Sequence, residues 1–148
     1  MTDAITDEYE CAQAWTALSA AHARVTGQLH AGLAASCGLT PNDFDVLLRL
    51  HRAGQPGVRL SALNSAVRLT QPSVSRAVAR LCQRGLLARQ DDPDDGRGIL
   101  ISLTESGREV LARAVALHAD TIRALLLDRL TEAEQEVLAR ALTRVAEE

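Results

Sequence analysis

The stretch from Leu60 to Leu103 leaves this chain few ways to fold. Leu60 to Arg68 reads as a short helix, and Leu69-Thr70-Gln71-Pro72 as a tight turn into another that runs to about Arg84. On that second helix Val74, Val78 and Leu81 stand four and three residues apart and are expected to face inward. Ser73, Arg76, Ala77, Arg80 and Arg84 are expected on the opposite side. Gly85 ends the helix. Two apolar extended pieces follow, Leu86 to Gln90 and Ile99 to Leu103, around the octet Asp91-Asp92-Pro93-Asp94-Asp95-Gly96-Arg97-Gly98. The pattern predicts a β-hairpin with Asp95-Gly96 at its tip.

The flanks are helical. From Asp7, the residues Trp15, Leu18, Val25, Leu29 and Leu33 recur at helical steps, with His22 in the same stripe, and this helix is expected to end near Cys37-Gly38. Thr40-Pro41-Asn42-Asp43 starts a second helix carrying Phe44, Val46, Leu47, Leu48 and Leu50, and Gly54-Gln55-Pro56-Gly57 stops it. Thr104 caps a long helix whose apolar residues, from Val110 to Leu126, cover too wide an arc for one buried face. Thr131-Glu132-Ala133-Glu134 is a capping box leading into Val137, Leu138, Leu142 and Val145. No repeat or long linker divides the chain, so residues 1–148 read as one unit. A lobe at 40–103 is flanked by helical segments at 7–37 and 104–148, which carry more apolar surface than so small a lobe can cover. That excess predicts a dimer.

Composition narrows the classes further. With 148 residues, 47% apolar and 24% charged, a packed core is attainable and disorder is excluded. No apolar run approaches the ~20 residues of a membrane span, and the acidic start lacks a secretion signal; a cytoplasmic chain without membrane contact is expected. Cys11, Cys37 and Cys82 form no CxxC pair, so reduced thiols are expected. Scattered histidines, with no HExxH, GxSxG or phosphate-binding glycine loop, argue against an enzyme and against any metal or cofactor. All 16 basic residues are arginine. One Arg faces six acids in residues 1–48, nine face four in 49–100 and six face nine in 101–148, giving −5, +5 and −3. A basic middle between acidic ends suggests that one region meets an anion.

Two short helices, a tight turn and a hairpin make a winged helix-turn-helix, in a chain that is otherwise mainly α with this small β-wing. The amino end of the second helix presents backbone N–H groups to a phosphate, and Gln71, Ser73, Ser75 and Arg76 are candidates to reach DNA there. Arg80 and Arg84, further along, are candidates to hold the flanking backbone. On the wing Arg97 is the candidate for the minor groove, oriented by Asp95.

The chain resembles the MarR family of bacterial transcriptional regulators. The resemblance rests on Leu69-Thr70-Gln71-Pro72-Ser73-Val74-Ser75-Arg76, on Leu81-Cys82-Gln83-Arg84-Gly85-Leu86-Leu87-Ala88-Arg89, and on Asp92-Pro93-Asp94-Asp95-Gly96-Arg97 running into Ile99 through Gly107. It implies a homodimer with interlocking terminal helices, bound to a palindromic double-stranded DNA operator as a repressor and released by a small-molecule effector or an oxidant. Gly96 stands where the family wing often has a first arginine, which leaves Arg97 alone in that role. The family's effector region implies Trp15, His22, Asp45 and Arg49 as candidates, with His51 weaker; Trp15 and Asp45 resemble part of a urate-responsive pattern. Core packing for Trp15 and an interface role for His22 are the plainer alternatives. Two other functions stay open: a winged-helix interaction protein that does not bind DNA, and a cysteine-based redox-sensing regulator.

Overall fold

The first helix, α1 (Ala4–Cys37), stops where the sequence places its end. Gly38 has φ 61°, a left-handed conformation that a side chain would strain, and its N–H bonds the Ala34 carbonyl at 3.1 Å. The computed structural model describes the backbone of residues 4–66 and 70–147 and the side chains of residues 12–63, 70–96 and 98–147. After α1 come α2 (Pro41–Ala53), β1 (Val58–Arg59), α3 (Leu60–Ala66), α4 (Gln71–Gln83), β2 (Leu87–Asp92), β3 (Asp95–Leu103), α5 (Glu105–Leu125) and α6 (Glu132–Ala146), with a single 3-10 turn at Leu127–Arg129. The expected residues Val67, Arg68 and Leu69 of the helix and turn lie outside the described residues. No described helix is long and apolar enough to cross a membrane.

The chain divides into two compact units. Gly32–Leu117 forms one of them. Its core gathers Leu33 and Cys37 from the last turns of α1, Phe44, Val46, Leu47 and Leu50 from α2, Leu63 from α3, Ile101 and Leu103 from β3, and Leu111 and Ala114 from α5. Helix α4 contributes Val74, Ala77, Val78 and Leu81, each with no exposed surface. Ala77 therefore belongs inside, not on the outer face where the sequence reading put it. It stands three residues after Val74 and four before Leu81, so it completes the same stripe.

The sheet has three strands in the order β1-β3-β2, all neighbours antiparallel. Its first strand is two residues long and carries no periodicity, so the sequence reading passed over it. The hairpin is also tighter than expected. Asp92 pairs with Asp95, the turn is Pro93-Asp94, and Asp95-Gly96 already belongs to β3. The register jumps from Asp91↔Ile99 to Asp92↔Asp95, so the residues between Asp95 and Ile99 bulge from β3 near the wing tip.

The second unit comprises the helical segments that precede Gly32 and follow Leu117. Helix α6 starts with the expected capping box: the Thr131 N–H donates to Glu134 Oε2 at 2.8 Å and the Glu134 N–H donates to Thr131 Oγ1 at 3.3 Å. The bond from the Thr131 backbone, then that from the Thr131 hydroxyl to Oε2 at 2.8 Å, hold the Glu134 carboxyl below its ordinary range. Little is buried in this unit. Trp15 is 70% exposed and Val145 81%, and Leu18, Val137 and Leu142 are also exposed. Core packing of Trp15 within the chain is thus not what the structure has.

The entry to α5 is a close backbone contact. Thr104 Oγ1 donates to the Gly85 carbonyl at 2.7 Å and accepts from the Gly107 N–H at 3.0 Å. A Cβ on Gly107 would collide with the Leu86 carbonyl oxygen. Gly107→Ala is expected to destabilise the chain by about 1–3 kcal/mol, the usual cost of overpacking. A urea-unfolding midpoint indistinguishable from the parent's would show that the helix can shift without loss.

Candidate nucleic-acid interface

Burial of one face of α4 settles what the other face offers. Gln71, Ser75, Arg76, Ala79 and Gln83 are exposed, while Val74, Ala77, Val78 and Leu81 anchor the helix. Thr70 is the N-cap with extended backbone, and its side chain makes no cap bond to the helix backbone. Instead its hydroxyl lies 2.9 Å from that of Ser73, which is half-buried. Pro72 carries no N–H, and the Ser73 and Val74 N–H groups donate to the Thr70 carbonyl at 2.9 and 3.1 Å, so the Gln71 N–H is the first-turn donor left for a ligand among the described residues. Arg76 makes no ion pair among the described residues, so its guanidinium is available to a planar acceptor pair.

The two remaining arginines of this helix turn toward the protein itself. Arg80 Nη2 donates to Asp43 Oδ1 at 2.6 Å and Nε to Oδ2 at 3.4 Å, and the Asp43 side chain is 1% exposed. Asp43 in turn accepts the Thr40 N–H at 2.9 Å, while its own N–H donates to Thr40 Oγ1 at 3.2 Å, so the capping box of α2 and the ion pair share one carboxylate. Arg84 spreads its fork over the end of α1, with Nη1 on the Gly38 carbonyl at 2.6 Å and Nη2 on the Cys37 carbonyl at 3.0 Å. The sequence reading made both arginines partners of the DNA backbone. Asp43 stands in the sequence at the start of α2, in the Thr-x-x-Asp spacing of a capping box, but no local pattern pairs it with Arg80, 37 residues away.

A further missed pair organises the wing. Arg59 Nε on β1 donates to Asp92 Oδ2 at 2.6 Å, and the Asp94 N–H donates to Asp92 Oδ1 at 3.0 Å. The bond from Asp94, then that from Arg59, outweigh burial and hold the Asp92 carboxyl below its ordinary range. No local pattern marks Arg59 and Asp92 as partners, because 33 residues separate them. Asp95 lies 3.7 Å from Arg59 Nη1. The Arg97 side chain, and with it the expected pairing to Asp95, lies outside the described residues.

The effector candidates are dispersed over two helices. Trp15 and His22 are exposed on α1, and Asp45 and Arg49 are exposed one turn apart on α2, as is His51. Of the cysteines, Cys37 is buried and Cys82 half-buried, both as free thiols; the Cys11 side chain lies outside the described residues.

A buried-faced helix presented beside a three-stranded wing defines a winged helix-turn-helix protein. A model of the MarR family matches residues 38–98. The uncharacterized HTH-type transcriptional regulator YhbI of Bacillus subtilis is 36% identical over 86 residues, which are 55% of this chain and 54% of YhbI. The chain spans about half the length of the curated relatives it matches. Among solved structures, Sco3205 of Streptomyces coelicolor, a MarR family transcriptional regulator in complex with DNA, is 31% identical with a TM-score of 0.78, over 91% of this chain and 88% of that one. BpsR of Bordetella bronchiseptica, whose DNA binding is regulated by 6-hydroxynicotinic acid, is 27% identical with a TM-score of 0.72, over 91% and 99%. The chain belongs to the MarR family, a family of transcriptional regulators and not of enzymes.

The ionised Asp92 gives the wing a pH dependence of known sign. A carboxylate held below the ordinary value of 3.8 adds stability that is complete above that value and is lost as pH falls through the lowered one. Asp92→Asn, which breaks the ion pair, is expected to unfold at lower urea than the parent from neutral pH down to about pH 4, with the gap closing in stronger acid. A gap that stays constant down to about pH 2 would mean that the charge of Asp92 is not what matters.

Proposed function

We propose that this chain is a sequence-specific DNA-binding transcriptional regulator, acting as a homodimer on a palindromic operator and released by a small molecule. The observation that carries the reading is the orientation of α4, whose complete burial on one side leaves Gln71, Ser75 and Arg76 outward at its amino end. In this reading α4 enters the major groove, Arg76 reads a base edge, the Gln71 N–H and the Ser73 hydroxyl meet phosphate, and Arg97 with Asp95 serves the wing in the minor groove. The DNA complex of Sco3205 supports the use of this fold on duplex.

A second copy of the chain is the partner that the exposed Trp15, Leu18, Val137, Leu142 and Val145 call for, since large apolar side chains in such number favour burial at about 25 cal/mol per Å². A dimer sets two α4 helices about 34 Å apart, one turn of duplex. The regulation of BpsR by 6-hydroxynicotinic acid supports an effector here too, with Trp15, His22, Asp45 and Arg49 as its candidate contacts. Repression follows if the operator overlaps a promoter.

Gel-shift titration on the DNA upstream of the chain's own gene tests the reading directly. Affinity is expected to fall with rising salt, with a log-log slope of about −0.9 per phosphate neutralised. Arg76→Ala is expected to cost about 1–3 kcal/mol and to relax preference at one base pair. Absence of binding even at low salt would favour an interaction protein that has lost DNA contact. Sedimentation at micromolar concentration is expected to give twice the mass of one chain, and solitary chains would overturn the dimer.

A further inference from the structure

We propose that Arg80 and Arg84 are positioning residues that lock α4 to the junction of α1 and α2, so that operator recognition depends on them without either touching DNA. The inference rests on the DNA-binding reading above. Two independent contacts carry it. Arg80 bonds both oxygens of the buried Asp43 and reaches Thr40 Oγ1 at 3.4 Å, so it grips the first turn of α2. Arg84, one turn later, bonds the carbonyls of Cys37 and Gly38, which have no further turn of α1 to bond. These bonds each span 37 or more residues of sequence, and together they meet the seven-residue segment Cys37 to Asp43.

Core packing fixes the rotation of α4, and directional hydrogen bonds add a restraint of their own along its axis. A fork with two nitrogens on two successive carbonyls, and a second fork on a carboxylate, can both be made at one axial position of the helix. That restraint is what Gln71, Ser75 and Arg76 need at the other end of the same helix to meet base edges.

The two roles open to Arg80 give opposite signs for one substitution. If Arg80 positions α4 through Asp43, Asp43→Asn weakens specific binding although it removes a negative charge. If Arg80 neutralises phosphate, the same change frees a cation and leaves binding equal or tighter. The experiment measures affinity for a duplex enriched by the parent from a random-sequence pool, and for a scrambled duplex of equal composition, at several salt concentrations. D43N, R80A, R84A and R84K are each expected to lose on the order of tenfold on the enriched duplex, the scale of one base contact. The scrambled duplex and the salt slope are expected to stay unchanged, and D43N with R80A together to lose no more than either alone.

R84K keeps the charge and breaks the fork, and it keeps the question answerable should D43N unfold. A slope reduced by about 0.9 in R80A or R84A, full affinity in R84K, or tighter binding by D43N would each overturn the proposal. A parent that enriches no duplex at all would overturn the DNA-binding reading instead.

Discussion

Four side chains with no exposed surface, Val74, Ala77, Val78 and Leu81, determine how the rest of this molecule is arranged. Successive residues of a helix point about 100° apart, so a stripe of four such positions leaves α4 one rotational setting. Any other setting would expose a valine or leucine, at about 1.5–3 kcal/mol each, or bury Arg76 without a partner at greater cost. The outward face is therefore a consequence of the inward one. Gln71, Ser75 and Arg76 need no interaction of their own to be held in place.

Charge completes what packing begins. The basic excess of residues 49–100 looks in the sequence like a single surface for an anion, but the folded chain divides it. Arg59, Arg80 and Arg84 bond carboxylates and carbonyls of the protein, and Arg76 forms no ion pair among the described residues. The Arg80 side chain is 43% exposed while its partner Asp43 is buried. The pair thus lies between a surface bridge, worth about 0–1 kcal/mol, and a buried one, whose disruption costs about 3–5 kcal/mol. Its directional effect exceeds its energetic one: it joins the first turn of α2 to the last turn of α4. Arg59 and Asp92 do the same for β1 and the wing.

The helical unit outside the lobe presents a different situation. The stripe on α1 is continuous in sequence, yet among the described side chains only those of its last turns, Leu33 and Cys37, are buried, and no residue of α6 is fully buried. An apolar stripe that continues beyond its own core leaves large apolar side chains exposed, which fits the proposed pairing with a second copy of the chain.

Much of this is legible in the sequence. Helix ends at Cys37 and Thr131 are dictated by glycine and by Thr/Glu capping, which act over three or four residues, and local interactions leave local signatures. The Val74, Val78, Leu81 spacing likewise identified the buried face of α4. Its one error, Ala77, arose because alanine is too small to declare a side. Tertiary structure alone decided the rest. The two-residue β1 exists only because β3 lies beside it, the hairpin turn moved to Pro93-Asp94 because Asp92 folds back on the Asp94 N–H, and Arg80 met Asp43 across 37 residues. Such partners are brought together by packing, and a chain of residue types contains the capacity for these bonds but not the distances that form them.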